Sequence, residues 1–245
     1  MNFGNNTVLI TGGSSGIGFS LASHFVRKNS TVIICGRNEA KLAEAKLKYP
    51  QLTTYVCDVA NADERIAMFE WISREFPQLN ILVNNAGIQQ RFPSVHEQSW
   101  ETVNEELTIN LEAPIHLSML FVPHLLNQAQ PAIMNVTSGL AFVPLALVPI
   151  YSATKAALHS FTLSLRHQLS ESPITVIEII PPAVNTDLGG KGLHTFGVDV
   201  NEFTDAIVQQ LESGQIEVSY GFGSESSQAS REQLDLIFER MNQRR

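Results

Sequence analysis

The amino-acid sequence predicts one α/β domain built on a doubly wound parallel β-sheet with helices on both faces. Short apolar runs rich in β-branched residues alternate with helical patterns along most of the 245 residues, as in successive βαβ units. The predicted strands are apolar throughout, which is typical of strands covered on both faces. A glycine-rich turn directly follows the first strand, as in Rossmann-type folds.

Strands and helical patterns follow one another in order along the chain. We predict strands at residues 7–11, 31–36, 53–57, 81–86, 132–137 and 175–180. We predict helices at 16–28, 38–48, 61–76 and 149–169, and a long amphipathic stretch over 100–128. No internal repeat, linker or change of composition interrupts them, so we expect residues 1–245 to form a single domain.

Composition and charge restrict the class of protein. Hydrophobic residues make up 44% and charged residues 16% of the chain, as in ordinary globular proteins. The formal net charge is −8, and Lys/Arg runs are absent before the terminal Arg244–Arg245 pair, which disfavours a nucleic-acid partner. No apolar stretch approaches the ~18 residues of a membrane span, so we expect no membrane partner.

The remaining compositional signals predict a cytoplasmic protein without a metal. Met1 to Asn6 lack a basic flank before an apolar core, which disfavours a signal peptide. Cys35 and Cys57 cannot form a disulfide framework, and two reduced buried thiols are expected. The seven histidines show no ligand spacing, so no metal site is predicted, and no G-x-S-x-G motif points to a hydrolase.

The segment Thr11–Gly18 reads TGGSSGIG between the first strand and its helix. Gly12 permits a tight turn, Gly16 lets backbone amides approach a pyrophosphate, and Gly18 allows close packing of helix and strand. The positive end of the helix dipole adds to this anion site. We therefore predict that a dinucleotide is bound by Gly12, Ser14, Ser15, Gly16, Ile17 and Gly18.

Arg37 occupies the position where dinucleotide sites usually carry an acid, 19 residues after Gly18. A carboxylate would repel a 2′-phosphate, whereas a guanidinium binds it bidentately. Arg37 thus favours NADP(H) over NAD(H). The alternative is that Arg37 stacks on adenine or faces solvent.

Tyr151 and Lys155 are spaced i and i+4 in a predicted helix. This spacing places a phenol and an ammonium on one helix face, where they can share a pocket. Alone, the spacing is more typical of a solvated helix face, so a catalytic meaning depends on the other motifs.

Six motifs in order make the chain resemble the short-chain dehydrogenase/reductase superfamily, in its short, non-extended branch, over residues 7–186. They are the glycine-rich turn, Asp58 after the third strand, Asn84-Asn85-Ala86-Gly87, Asn110, Ser138, and the Tyr151/Lys155 pair.

The resemblance implies further cofactor contacts. Asp58 would bond the adenine amino group beside Val59, with a helix N-cap as the alternative role of Asp58. Asn85, Ala86 and Gly87 would lie along the riboses, unless they form a plain turn. Near the nicotinamide, Pro182 replaces a glycine that is usual in the family. The residues implied at the nicotinamide are Pro181, Val184 and Thr186.

The resemblance also implies catalytic roles. Tyr151 would be the acid in reduction and the base in oxidation. Lys155 would favour the phenolate and hydrogen-bond the nicotinamide ribose. Ser138 would donate to the substrate oxygen, and Asn110 would hold a water that relays protons from Lys155. Thr137 is a competing hydroxyl, but on a strand it is expected to point to the opposite face.

The implied function is an oxidoreductase that transfers a hydride between NADP(H) and a small or hydrophobic carbonyl or alcohol. The alternative is a non-catalytic NADP(H)-sensing regulatory protein on the same fold. Glycine-rich residues 189–200 are predicted to form a substrate lid. An apolar substrate wall is predicted from Leu140, Phe142, Val143, Leu193 and Phe196.

The C-terminal segment departs from the family pattern. Many relatives end with a strand and a Gly-Gly pair that builds a tetramer; residues 216–221 here lead into a polar, serine-rich turn and a predicted helix at 230–243. In this the chain is similar to a bacterial branch labelled after D-alanyl-lipoteichoic-acid operons, a label that identifies no substrate. We expect a homodimer formed through the long fourth and fifth helices.

Overall fold

The computed structural model describes residues 2–94, 96 and 98–243; Arg244 and Arg245 lie outside the described residues. Its centre is a seven-stranded parallel sheet in the order β3-β2-β1-β4-β5-β6-β7. The predicted fold class, a doubly wound Rossmann-type sheet, is confirmed. The strands are β1 (Thr7–Thr11), β2 (Thr31–Gly36), β3 (Thr53–Val56), β4 (Ile81–Asn84), β5 (Ala132–Val136), β6 (Thr175–Ile180) and β7 (Glu217–Ser219).

Helices cover both faces of this sheet. Several begin at polar caps, as Asn38 and Asn61 show by accepting hydrogen bonds from amides of the first helical turn. The described helices are α1 (Gly16–Arg27), α2 (Glu39–Lys48), α3 (Ala62–Glu75), α4 (Trp100–Leu107), α5 (Ala113–Leu125), α6 (Pro149–Gln168), α7 (Val200–Glu212), α8 (Phe222–Gln228) and α9 (Arg231–Asn242). None of these described helices is long and apolar enough to cross a lipid bilayer.

Alternate side chains of each strand enter two separate apolar clusters. On β1, Val8 and Ile10 join one cluster with α1, α2 and α7, whereas Leu9 joins the other with α3, α5 and α6. Both faces of the sheet are therefore buried, which explains why the strands are apolar throughout. The strand order reverses between β1 and β4, and in such sheets ligands bind beyond the carboxyl ends of the strands at this switch point.

Three parts of the chain differ from the sequence-based expectation. The stretch over 100–128 is interrupted by a π-helical turn at Thr108–Glu112, between α4 and α5. The predicted serine-rich turn is instead the helix α8, which packs against β6 and β7 and overrides the low helix propensity of serine. The strand β7 and the helix α7 were not predicted, although α7 begins at an Asp199 cap.

Candidate active site

A cleft of about 880 Å³ opens at the carboxyl ends of the strands. Its lining includes most of the residues that the sequence singled out. They are Gly12, Ser14, Ser15, Gly16, Ile17, Arg37, Asp58, Val59, Asn85, Ala86, Gly87, Ser138, Leu140, Tyr151, Lys155, Pro181, Val184, Thr186 and Phe196. The predicted residues Gly18, Asn110, Phe142, Val143 and Leu193 are not among the residues that line it.

The glycine-rich turn forms one end of the cleft. Gly12 and Gly16 have φ values of +63° and +54°, which favour glycine. A Cβ atom on Gly12 would lie 2.9 Å from the Cα of Ala86. A Cβ on Gly18 would lie 2.6 Å from the carbonyl oxygen of Gly12, so Gly18 packs behind the turn. The turn thus leaves a concave backbone surface that a side chain would fill.

Thr11 and Asn85 hold the turn against the end of β4. The Thr11 Oγ1 accepts hydrogen bonds from the backbone amides of Asn85 and Ala86, each at 3.0 Å. In return, the Asn85 side chain donates to the carbonyl oxygens of Thr11 and Gly12, at 2.9 and 3.2 Å. Four hydrogen bonds therefore fix the segment 84–87 to the glycine-rich turn, whereas a plain turn would need none of them.

Arg37 stands at the end of β2 and lines the cleft beside Asn38 and Lys41. Its Nη1 atom lies 3.2 Å from the Oε1 atom of Glu105 on α4, and both side chains are partly exposed. An exposed ion pair of this kind contributes little free energy, about 0–1 kcal/mol. The pair therefore leaves the guanidinium available to an anion in the cleft.

Asp58 lines the cleft after β3, and it is not the cap of the following helix. The α3 cap is Asn61, whose Oδ1 accepts from the amides of Asp63 and Glu64. The Asp58 Oδ1 accepts a hydrogen bond from the Ala60 amide at 3.0 Å. The alternative interpretation of Asp58 as a helix N-cap was therefore wrong.

Ser138, Tyr151 and Lys155 line the opposite end of the cleft. Ser138 follows β5 and caps a short 3₁₀ turn (Gly139–Ala141), with its Oγ accepting from the Leu140 amide at 3.1 Å. Tyr151 and Lys155 lie in the first two turns of α6, which begins at Pro149. The Lys155 Nζ lies 5.6 Å from the centroid of the Tyr151 ring and donates to the Val136 carbonyl at 2.8 Å.

Burial shifts the proton affinities of this group. Burial raises the pKa of Tyr151 to about 12, although its hydrogen bond with Ser138 lowers it. Burial lowers the pKa of Lys155 to about 8, against the opposing charge of Glu106. Tyr151 therefore holds its proton at neutral pH, and Lys155 titrates nearer to neutrality than an exposed lysine.

Two neighbouring polar residues have their side chains engaged elsewhere. The Thr137 Oγ1 donates to the buried Glu178 at 2.6 Å, so this hydroxyl is committed to β6 rather than to the cleft. Asn110, in the π-helical turn, donates to the Ile88 carbonyl at 2.8 Å and accepts from the Ile88 amide at 2.9 Å. Its amide also donates to the Thr154 hydroxyl at 3.3 Å. The Asn110 side chain thus anchors the loop after β4 to α6.

The segment 181–200 covers the substrate end of the cleft. Val184 pairs with Val198 in an isolated parallel bridge, and turns that include the positive-φ residues Gly189 and Gly190 connect them. The predicted lid at 189–200 therefore ends in this bridge and in the first residue of α7. Phe142 instead packs on His159, with ring centroids 4.7 Å apart.

A sequence model described as short chain dehydrogenase matches residues 6–195 of the chain. The chain belongs to the short-chain dehydrogenase family. Its segment from residue 196 onward, with α7, α8 and α9, lies outside that match.

Relatives and solved structures agree with this assignment. The chain is 47% identical over 249 residues to "Uncharacterized oxidoreductase DltE" of Bacillus subtilis, covering 99% of this chain and 98% of that protein. It resembles a short-chain dehydrogenase from Burkholderia cenocepacia solved with NADP (TM-score 0.84, 26% identity, covering 97% and 99% of the two chains). A Sphingobium yanoikuyae short-chain dehydrogenase solved with NADPH gives a TM-score of 0.80 at 26% identity, covering 96% and 93%. This chain is therefore an oxidoreductase of the short-chain dehydrogenase family.

The structure adds cleft residues of this dehydrogenase that the sequence did not single out. His194 and Phe222 line the substrate end together with Arg240 and Met241 from α9. Asn242 fixes α9 there by accepting from the Ala146 amide and donating to the Pro144 carbonyl. No sequence motif predicts these contacts, because they depend on where the C-terminal helices pack. Within residues 2–94, 96 and 98–243, no group of three or more potential metal ligands is assembled.

Proposed function

We propose that this short-chain dehydrogenase interconverts a small or hydrophobic carbonyl compound and its alcohol, with NADP(H) preferred over NAD(H). One observation carries the proposal: Ser138, Tyr151 and Lys155 line the same cleft as the glycine-rich turn. A cofactor held at the glycine-rich turn would therefore extend along the cleft toward Ser138, Tyr151 and Lys155 at its other end. When bound, the nicotinamide supplies or accepts the hydride.

Tyr151 is the proton donor in the reduction of the carbonyl. Because burial raises its pKa to about 12, the phenol is protonated at neutral pH and is poised as an acid. The Lys155 ammonium, adjacent on the same helix face, stabilises the phenolate left after proton transfer. Ser138 donates a hydrogen bond to the carbonyl oxygen, where negative charge develops.

The residues around the turn fit a dinucleotide. The concave surface at Gly12 and Gly16 allows a pyrophosphate to approach the backbone at the N-terminus of α1. Arg37 directly follows β2 and Lys41 lies in the first turn of α2, and both line the cleft, where two cations suit a 2′-phosphate. Asp58 and Val59 line the part of the cleft where the adenine would lie, and Val184 and Thr186 would border the nicotinamide.

The substrate wall combines apolar side chains from three segments. Leu140 follows β5, Phe196 belongs to the lid, and Phe222 begins α8. Such a wall favours a hydrophobic carbonyl compound.

The experiment that tests this function is a cofactor titration followed by a substrate panel. We expect NADPH to bind more tightly than NADH, and NADPH-dependent turnover to favour apolar aldehydes and ketones over sugars and highly charged carbonyl compounds. Cofactor oxidation, followed at the nicotinamide absorbance, measures turnover. A preference for charged substrates would contradict the proposed substrate class, and absence of turnover across the panel would contradict the proposed reaction.

Exposed apolar side chains on α4, α5 and α6 support a homodimer. Trp100 and Met119 are each 67% exposed, and Leu163 on α6 is 42% exposed. We expect the chain to have the mass of a dimer in solution and Met119→Glu to shift it toward monomer, because a carboxylate would be buried at the interface. The control Leu47→Glu changes an 81%-exposed side chain on α2 and should leave the mass unchanged. A monomeric or tetrameric parent chain would contradict this arrangement.

A further inference from the structure

Glu106 is a buried carboxyl group without an assigned role beside the candidate catalytic residues. It lies on α4, and its side chain has no exposed surface. Its Oε1 accepts a hydrogen bond from the Gln90 amide at 3.2 Å. Its Oε2 is buried and has no hydrogen-bond partner among the described residues. An incompletely paired buried carboxyl is costly, so its presence requires an explanation.

Three titratable groups are electrostatically coupled to Glu106, and two of them are candidate catalytic residues. From α6, which packs against α4, these are Lys155 and Tyr151. The other is Glu105 on the same helix, whose carboxylate pairs with Arg37. An ionised Glu106 raises the pKa of both Lys155 and Tyr151, because a nearby negative charge favours the protonated form of each.

Glu106 itself changes charge in the neutral range. Burial raises its pKa to about 7, against the lowering effects of the Gln90 amide and the Lys155 ammonium. Its effect on the other two groups is therefore small below pH 6 and fully developed above pH 8.

Glu106 also contacts the loop that follows β4. Glu106 accepts a hydrogen bond from the Gln90 amide, and Asn110, one helical turn later, makes two hydrogen bonds with Ile88 of the same loop. The loop residues Gly87, Ile88 and Gln89 line the cleft. The same carboxyl group therefore holds the residue that directly follows the cleft wall and acts on the Tyr151–Lys155 pair.

We propose that Glu106 is a positioning residue: its Oε1 atom holds the loop at Gln90, and its buried carboxylate on α4 acts by its charge on the Tyr151–Lys155 pair of the adjacent helix α6. As the pH rises from 6 to 8, Glu106 becomes ionised. Its negative charge then extends to higher pH the range over which Tyr151 is protonated and can donate a proton. The inference rests on the proposed function, since it concerns the same Ser138, Tyr151 and Lys155 site.

A double-mutant cycle in thermal unfolding tests the electrostatic coupling without any enzymatic assay. The variants are Glu106→Gln, which keeps an acceptor for the Gln90 amide, Lys155→Met, and both together. At pH 8 we expect the shifts in Tm to be non-additive by about 2–6 °C, and at pH 5 to be additive, because Glu106 is then neutral. Additive shifts at both pH values would overturn the coupling.

The same unfolding data test the buried ionisation. Because the pKa of Glu106 is raised above its unfolded value, the folded protein loses stability as the pH rises through about 4.5 to 7. Glu106→Gln lacks this loss, so its Tm relative to the parent should rise by several degrees from pH 5 to pH 8. Glu105→Gln removes the same charge from a partly exposed neighbour and is the matched control; an equal rise in this control would contradict the assignment to Glu106.

A pH–rate profile completes the test and distinguishes positioning from a structural role. The probe reaction is NADPH-dependent reduction of 1-phenylpropane-1,2-dione. We expect Glu106→Gln to move the alkaline limb of kcat/KM to lower pH by roughly 0.5–1 unit, and Glu106→Asp to restore it. If Glu106→Gln changed KM or Tm but left the alkaline limb of the kcat/KM profile at the parental pH, the role of Glu106 would be structural only. Absence of diketone reduction by the parent would count against the proposed function, whereas the unfolding cycle would still decide the coupling.

Discussion

Tyr151→Phe is expected to reduce kcat by about 10²- to 10⁴-fold, the range usually supplied by a positioned general acid. The substitution removes only the phenolic oxygen, whereas the ring remains buried among the same neighbours in the first turn of α6. The residual rate should also lose the pH dependence that arises from the phenol. Steady-state kinetics with NADPH and the best carbonyl substrate of the panel would measure both effects.

Two controls make this result specific to proton donation. The affinity for NADPH, followed by fluorescence titration, should stay within a few-fold of the parent value, because Lys155 and the glycine-rich turn are unchanged. Tyr55→Phe removes a phenolic oxygen from a residue that packs on Trp71 and does not line the cleft. It should retain parental turnover. If Tyr151→Phe kept parental kcat, Tyr151 would not be the acid.

Arg37→Asp is expected to lower the ratio of kcat/KM with NADPH to that with NADH by about 10²-fold or more. The substitution removes charge-assisted hydrogen bonds worth about 1.5–3 kcal/mol and places a carboxylate where the 2′-phosphate would lie. In NADH the same carboxylate can accept hydrogen bonds from the ribose hydroxyls. The ratio of the two Kd values should fall in parallel with the kinetic ratio.

The matched control is Arg74→Asp on α3. Arg74 is exposed, pairs with Glu75 and lies away from the cleft, so this variant makes the same change of net charge at a remote position. It should leave the preference between the cofactors unchanged. An unaltered preference in Arg37→Asp, or an equal loss in the control, would show that Arg37 does not select the 2′-phosphate.

Most of the fold and many of the cleft residues could be predicted from local sequence patterns. The sheet is predictable because strands covered on both faces must be apolar along their length, and because glycine at positions 12 and 16 is needed for positive φ values. Tyr151 and Lys155 share a helix face by their spacing alone. The order of the motifs adds Ser138 and Asp58, since parallel strands bring their carboxyl ends to one edge of the sheet.

Other features have no local signal. Arg240 and Met241 reach the cleft only because α9 packs over residues 144–146, where Asn242 is hydrogen-bonded. The serine-rich segment forms α8 because packing against the sheet outweighs helix propensity. The predicted wall residue Phe142 contacts His159 instead, a choice made by packing rather than by sequence.

By itself, the sequence determined the class of fold, the dinucleotide turn and the residue types of a carbonyl–alcohol chemistry, since backbone conformation and helical periodicity are local properties. The tertiary structure alone decided which side chains complete the substrate end and which polar groups lose contact with water. Glu106 shows this division: in sequence it is one of several acids on an amphipathic helix. Only the packing of α4 against α6 buries it beside Lys155 and makes its charge matter, because the strength of a charge depends on its surroundings.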